Sequence, residues 1–241
     1  MVVECIGLPG SGKTYLFRQI EEELGRKGIP CVNAGARSGD DVLWKAGKKV
    51  LHRTIFLDGN ARRIRDSFAH ILETEKPLHS RYGIYRDERF TAESAAIFAA
   101  VYRRMERSDK VYLFDEGLAH TIVKFCAEFH LPEKIFLEMM AACGPLDERS
   151  RIVVHNEITV DDCVRSIRER DRHVCRFDEL PEEKLRGLLG EYSRLNACYA
   201  AHYPVLTVSR EEEEEAKCRR ICGGIFRKRT CMKRFRRRAQ G

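Results

Sequence analysis

A chain of 241 residues with 43% hydrophobic and 34% charged residues has the makeup of a globular domain with a sizeable core. No run approaches the ~18 apolar residues that a membrane span needs, and the start lacks the basic region of a cleaved signal, so a cytoplasmic setting is expected. The net charge of +7 is uneven: residues 217–241 hold eleven Lys or Arg and no Asp or Glu, so the remainder of the chain stands at −4.

Val2 to Leu8 is a short apolar run broken only by Glu4, which predicts a buried strand. From Lys13 onward Leu16, Phe17, Ile20 and Leu24 recur at helical spacing, and Gly25 and Gly28 supply the stop. Between strand and helix lie Gly7, Leu8, Pro9, Gly10, Ser11, Gly12, Lys13 and Thr14. A glycine, four residues and then Gly-Lys-Thr is the Walker A spacing, in which the amides of a strand-to-helix turn wrap a phosphate chain. Side chains in such a turn would hold phosphate oxygens away from the amides, and the helix N-terminus adds about half a positive charge. Lys13 is therefore expected to reach the β- and γ-phosphates of ATP, and the Thr14 hydroxyl to ligate Mg2+.

Residues 29–35, IPCVNAG, predict a second strand. Helical periodicity follows in pieces at 41–53, 60–75 and 91–107, with a polar, aromatic-bearing loop at 76–90. An insertion of this kind, about 41–107, is expected to shape a substrate pocket. Arg37, just past the second strand, and Arg81, Tyr82, Tyr85, Arg86 and Arg89 in the loop are the candidate acceptor-binding residues. The third strand, KVYLFDEG at 110–117, places Asp115 at the end of an apolar run, where a Walker B acid sits, and makes it the second candidate Mg2+ ligand. Glu116 beside it is either a general base for an acceptor hydroxyl or the acid that aims water at the γ-phosphate in an ATPase.

Helices are predicted at 118–128 and 132–142, and a fourth strand at 151–158. Then come a basic helix at 159–172 with Thr159 as its cap, a helix at 181–200 opened by Pro181, and a fifth strand at 203–209. His120 and His155 read as packing or surface residues. The ten cysteines read as reduced core thiols, and the one cluster, Cys218, Cys222 and Cys231, lacks the fourth ligand and tight spacing of a metal site. Alternating strands and helices predict an α/β fold, a three-layer α/β/α sandwich around a five-stranded, mainly parallel sheet. Ligands of such sheets bind at the carboxyl ends of the strands, where the glycine turn and Asp115 both lie.

The chain has no Asn-Lys-x-Asp guanine reader and no Leu-Ser-Gly-Gly-Gln signature, which excludes the common GTPases and ABC-type ATPases. With the Walker A segment, CVRSIRERDR at 163–172 resembles the deoxynucleoside kinase and thymidylate kinase branch of the P-loop kinases, over residues 1 to about 209. The resemblance implies a P-loop kinase-like domain over 1–216 with a lid at about 163–178. Arg170 and Arg172 match the last two arginines of the family's lid pattern, and they would close over the phosphates as catalytic cations, or one would contact phosphate while the other pairs with Asp178. Ser166 stands where the first arginine is expected, between Arg165 and Arg168. A second departure is Asp115-Glu116-Gly117, where the family has an acid followed by arginine. It implies an acceptor other than an ordinary thymidylate or deoxynucleoside, or one held differently.

These readings converge on an ATP-dependent phosphotransferase with a small hydroxyl or phosphate acceptor, nucleoside- or nucleotide-like. The alternative is an ATP-hydrolysing regulator or nucleic-acid-associated ATPase. A homodimer is left open. For the basic tail at 217–241 three readings compete: an unstructured end, a contact with RNA or DNA, or attachment to an anionic membrane surface. Removing the tail is expected to leave a soluble, active body, unless Ile221, Ile225 and Phe226 dock it on the sheet.

Overall fold

The first strand, β1 (Val2–Ile6), has all five residues fully buried. Met1, Val3 and Cys5 join the apolar cluster on one face of the sheet, and Val2 and Ile6 join the cluster on the other. That alternation on a doubly covered strand is what a central parallel strand requires. A computed structural model describes residues 1–34, 58–76, 78–84, 88–106, 108–144, 150–169 and 176–238. Beside β1 lie β2 (Cys31–Asn33), β3 (Val111–Phe114), β4 (Arg151–Glu157) and β5 (Leu206–Ser209). They form one sheet in the order β2-β3-β1-β4-β5, and every pairing is parallel.

Nine helices surround it among the described residues: α1 (Lys13–Arg26), α2 (Gly59–Glu73), α3 (Glu88–Glu106), α4 (Leu118–Glu128), α5 (Glu133–Ala142), α6 (Val160–Glu169), α7 (Arg176–Glu179), α8 (Glu182–His202) and α9 (Glu214–Arg238). Leu16, Phe17, Ile20 and Leu24 of α1 cover one face of the sheet together with α9. Residues of α2 to α6 and α8 build the larger core on the other face. The three-layer sandwich predicted from alternation is the observed one, with a sheet that is wholly parallel. No described helix is long and apolar enough to cross a membrane.

Local signals account for the helix starts. The Asp58 carboxylate accepts the Asn60 and Ala61 N–H groups at 2.9 and 3.2 Å, capping α2. Thr159 caps α6 as expected, its hydroxyl accepting the Asp162 N–H at 3.1 Å. Strand ends are shorter than the apolar runs suggest. β1 stops at Ile6 because Gly7 turns to φ 140°, and β5 begins only after Pro204, which has no N–H for a ladder. The predicted helix at 41–53 lies outside the described residues.

The unstructured reading of the C-terminal segment does not hold over 214–238. Cys218, Ile221, Cys222 and Ile225 recur at helical spacing and are buried against Ile152, Val154 and Val208 of the sheet. Phe226 packs partly against the same cluster, with Lys27 Nζ 4.7 Å above its ring centroid. The helix runs from the carboxyl ends of the strands to their amino ends. There Lys228 Nζ donates to the Arg151 carbonyl at 2.7 Å and Arg229 donates to the Asp109 carbonyl at 2.9 Å. The cysteines are free among the described residues, and burial pushes the Cys5 and Cys143 thiols up to about 12, out of reach of thiolate chemistry at neutral pH.

Candidate functional site

The glycine turn leaves the carboxyl end of β1 through three positive φ values, 140° at Gly7, 95° at Gly10 and 85° at Gly12. At Gly7 a side chain is excluded twice, because a Cβ there would also lie 2.5 Å from the Asn156 carbonyl oxygen of β4. The Ser11 N–H donates to the Leu8 carbonyl at 3.1 Å, and Asn156 Nδ2 donates to the Ser11 carbonyl at 2.7 Å. From α6 the Cys163 thiol donates to the Pro9 carbonyl. Two neighbouring elements thus hold the turn, and neither anchor is apparent from the sequence pattern: Asn156 is one polar residue at the end of an apolar run, and Cys163 resembles any core thiol. Lys13 is buried at 7% exposure, and its Nζ donates to the Gly7 and Leu8 carbonyls at 3.1 and 2.8 Å. The cation is therefore held over the turn that the sequence assigns to phosphate.

Thr14 and Asp115 are 101 residues apart in sequence, yet the Thr14 hydroxyl donates to Asp115 Oδ2 at 2.6 Å. The parallel pairing of β1 with β3 brings them together. Glu116 follows with its side chain 57% exposed, and His120 Nε2, one helical turn on, stands 3.6 Å from its Oε1. His120 is 2% exposed and its ring packs 5.8 Å from the Tyr192 ring. Burial and the charge of Lys13 hold its pKa well below the usual imidazole range. It is a packing residue, as the sequence suggests, and it is also a neighbour of the acidic pair. His155 is partly buried on β4, and burial lowers its pKa too.

A buried polar network sets the Asp115-Glu116 turn. Glu4 is fully buried and ion-paired with Arg151 of β4. Its Oε2 accepts the Tyr102 hydroxyl at 3.0 Å and the Ala119 N–H at 3.3 Å, while the Tyr102 oxygen accepts the Leu118 N–H at 3.1 Å. These bonds satisfy first-turn amides of α4, which has no side-chain cap of its own, and a carboxylate suits the positive end of a helix. A Cβ on Gly117 would collide with both the Glu4 carboxylate and the Tyr102 hydroxyl, so this network requires glycine here. Gly117→Ala is expected to cost ~1–3 kcal/mol by overpacking and to displace Asp115. Chemical denaturation alongside an ATP-turnover assay would show both losses; wild-type values in both would exclude the clash.

A cavity of about 190 Å3 opens beside the turn, lined by Gly12, Tyr15, Asn156, Ser166, Arg210 and Lys217 among others. Arg210, from the β5–α9 connection, donates to Ser166 Oγ at 3.0 Å. A cation thus reaches Ser166 of α6 from a different element. Arg210 is masked in the sequence by the glutamate run that follows it. Arg165 pairs with Asp162 at 3.2 Å, and Arg168 donates to the Asp178 and Leu180 carbonyls at 2.8 and 2.6 Å. Arg170 and Arg172 lie outside the described residues.

At the last residue of α4 the buried carboxylate of Glu128 organises residues 80–84. Its Oε1 accepts the Ser80 hydroxyl at 2.5 Å and the Tyr82 and Ile84 N–H groups at 3.2 and 3.3 Å. Arg176 of α7 donates to the Gly83 carbonyl at 2.9 Å, joining this loop to the end of the expected lid. Of the candidate acceptor residues, Arg81 is exposed and Tyr82 half-buried on this loop. Arg37, Tyr85 and Arg86 lie outside the described residues, as does the side chain of Arg89.

No family model matches the chain, and no curated protein matches it. Its architecture does match solved structures. Deoxyadenosine kinase from M. mycoides with bound dATP superposes with a TM-score of 0.52 at 11% identity, over 93% of this chain and 98% of that one. The same enzyme with the products dCMP and dCDP gives 0.49 at 12% identity, with the same coverage of both chains. At such identities the likeness concerns the backbone. The chain has the P-loop α/β fold in the arrangement found in a deoxynucleoside kinase.

Proposed function

We propose that the protein is an ATP-dependent phosphotransferase that moves the γ-phosphoryl group of Mg-ATP to a hydroxyl or phosphate of a nucleoside- or nucleotide-like acceptor. The observation that carries the reading is the 2.6 Å contact between Thr14 Oγ1 and Asp115 Oδ2 at the mouth of a turn whose Gly7 has no room for a side chain. One hydroxyl and one carboxylate are a fitting protein share for Mg2+, which takes its remaining ligands from water and substrate phosphates. When bound, the ion supplies charge neutralisation on the β- and γ-phosphoryl oxygens.

The chain's own residues do the rest by position and charge. Lys13 exchanges the Gly7 and Leu8 carbonyls for phosphate oxygens, and the N–H groups of Gly10, Gly12 and Lys13 wrap the phosphate chain. The cavity beside Tyr15, Ser166 and Arg210 receives the nucleoside part of the donor. Glu116, exposed beside Asp115, accepts the acceptor's proton, and Arg170 and Arg172 close over the transferring group. Residues 80–84, held on Glu128, form a wall of the acceptor side. α9 carries Lys228 and Arg229 to the opposite edge of the sheet, so an RNA, DNA or membrane surface bound there would leave the turn open.

An adjacent acidic pair also suits hydrolysis, which makes an acceptor-independent ATPase the competing reading. Steady-state turnover of ATP across a panel of nucleosides, nucleotides, sugars and RNA ends separates the two. Stimulation by one acceptor class with a phosphorylated product supports transfer; equal ADP release throughout the panel overturns it.

A further inference from the structure

His120 combines deep burial with a face toward the acidic pair. Its Nε2 stands 3.6 Å from Glu116 Oε1, and its Nδ1 is buried without a hydrogen-bond partner among the described residues. The ring is backed by Tyr192 of α8, and the charges of Lys13 and Asp115 both act on it. A neutral imidazole has a single N–H. With a carboxylate before Nε2 and no acceptor before Nδ1, that proton belongs on Nε2.

We infer that His120 is a positioning residue for Glu116: its Nε2–H holds Oε1 of the carboxylate and leaves Oε2 to take the acceptor's proton. The inference rests on the reading of Glu116 as the base. At 3.6 Å the contact is longer than a formed hydrogen bond. Contacts of this kind commonly tighten when substrate arrives, and the Glu116 side chain, 57% exposed, is free to make that adjustment. The imidazole cannot move to meet it, because it is enclosed by the α4–α8 packing. A fixed donor and a mobile carboxylate are the parts from which an oriented base is made.

His120→Phe keeps the ring and its packing but removes the N–H, whereas His120→Gln keeps an N–H donor near the place of Nε2. The expected result is a fall in kcat of about tenfold for His120→Phe with the KM for ATP within about twofold, and recovery to within about threefold of wild type for His120→Gln. Glu116→Gln combined with His120→Phe should be no slower than Glu116→Gln alone. Wild-type kcat in His120→Phe, equal loss in the two His120 variants, or an additive double variant would each overturn the positioning role. If His120→Phe fails to fold, the His120→Gln rate and the wild-type imidazole 15N shifts decide. A proton on Nε2 whose signal moves on Glu116→Gln supports the contact, and a proton on Nδ1 overturns it. Wild-type kcat in Glu116→Gln would instead remove the base reading, an outcome separate from the state of the imidazole contact.

Discussion

Lys13→Ala should abolish phosphoryl transfer in a protein that remains folded. The ammonium is the one buried cation poised on the glycine turn among the described residues, and its two partners are main-chain carbonyls of that turn. Losing a charge aimed at the developing phosphoryl oxygens is expected to lower kcat by about 10³-fold or more, on the order of 4 kcal/mol. The structural cost is smaller, about 1–2 kcal/mol, because the same carbonyls then turn to water. Rapid-quench turnover and a denaturation curve on one preparation separate the two effects. Wild-type turnover in Lys13→Ala would remove the phosphate assignment of residues 7–14.

Deleting residues 214–241 should destroy the fold rather than trim a tail. α9 shields the face of the sheet that carries Ile152, Val154 and Val208, and Ile221, Cys222 and Ile225 are 0% exposed there. Each large apolar side chain buried contributes about 1.5–3 kcal/mol. Loss of Ile221 and Ile225 with exposure of their partners therefore rivals the ~5–15 kcal/mol by which a whole domain is stable. The deletion is expected to aggregate or to melt far below the full chain. Removal of 233–241, beyond Met232, the last residue of this cluster among the described side chains, should leave the midpoint close to that of the full chain. A thermal scan of the three proteins checks this, and an unchanged midpoint in the longer deletion would contradict the docking of α9.

The parts of the molecule legible in the sequence are those with a local cause. Val2 to Thr14 declares strand, turn and helix because glycine, lysine and apolar spacing each have a physical reason within fourteen residues. Asp115 is legible for the same reason, as a carboxylate at the end of an apolar run. What stays hidden depends on pairing across the sheet. Glu4 looks like an interruption of its strand, yet it is fully buried because β4 brings Arg151 to it and α3 brings Tyr102. Asn156 and Arg210 acquire meaning only once β4 stands beside β1 and β5 beside β4. In α9 the eleven cations obscure a stripe at 218, 221, 222 and 225 that decides where the helix lies.

The central claim is that Thr14, Asp115 and Glu116 serve transfer to an acceptor rather than to water. A single-turnover quench, with protein in excess over γ-labelled Mg-ATP and a mixture of nucleosides and nucleotides present, tests it most directly. The account predicts label in an organic phosphate ester, with a rate that rises with acceptor concentration and a yield that falls in Glu116→Gln. Label recovered wholly as inorganic phosphate, at a rate indifferent to every acceptor, would contradict it.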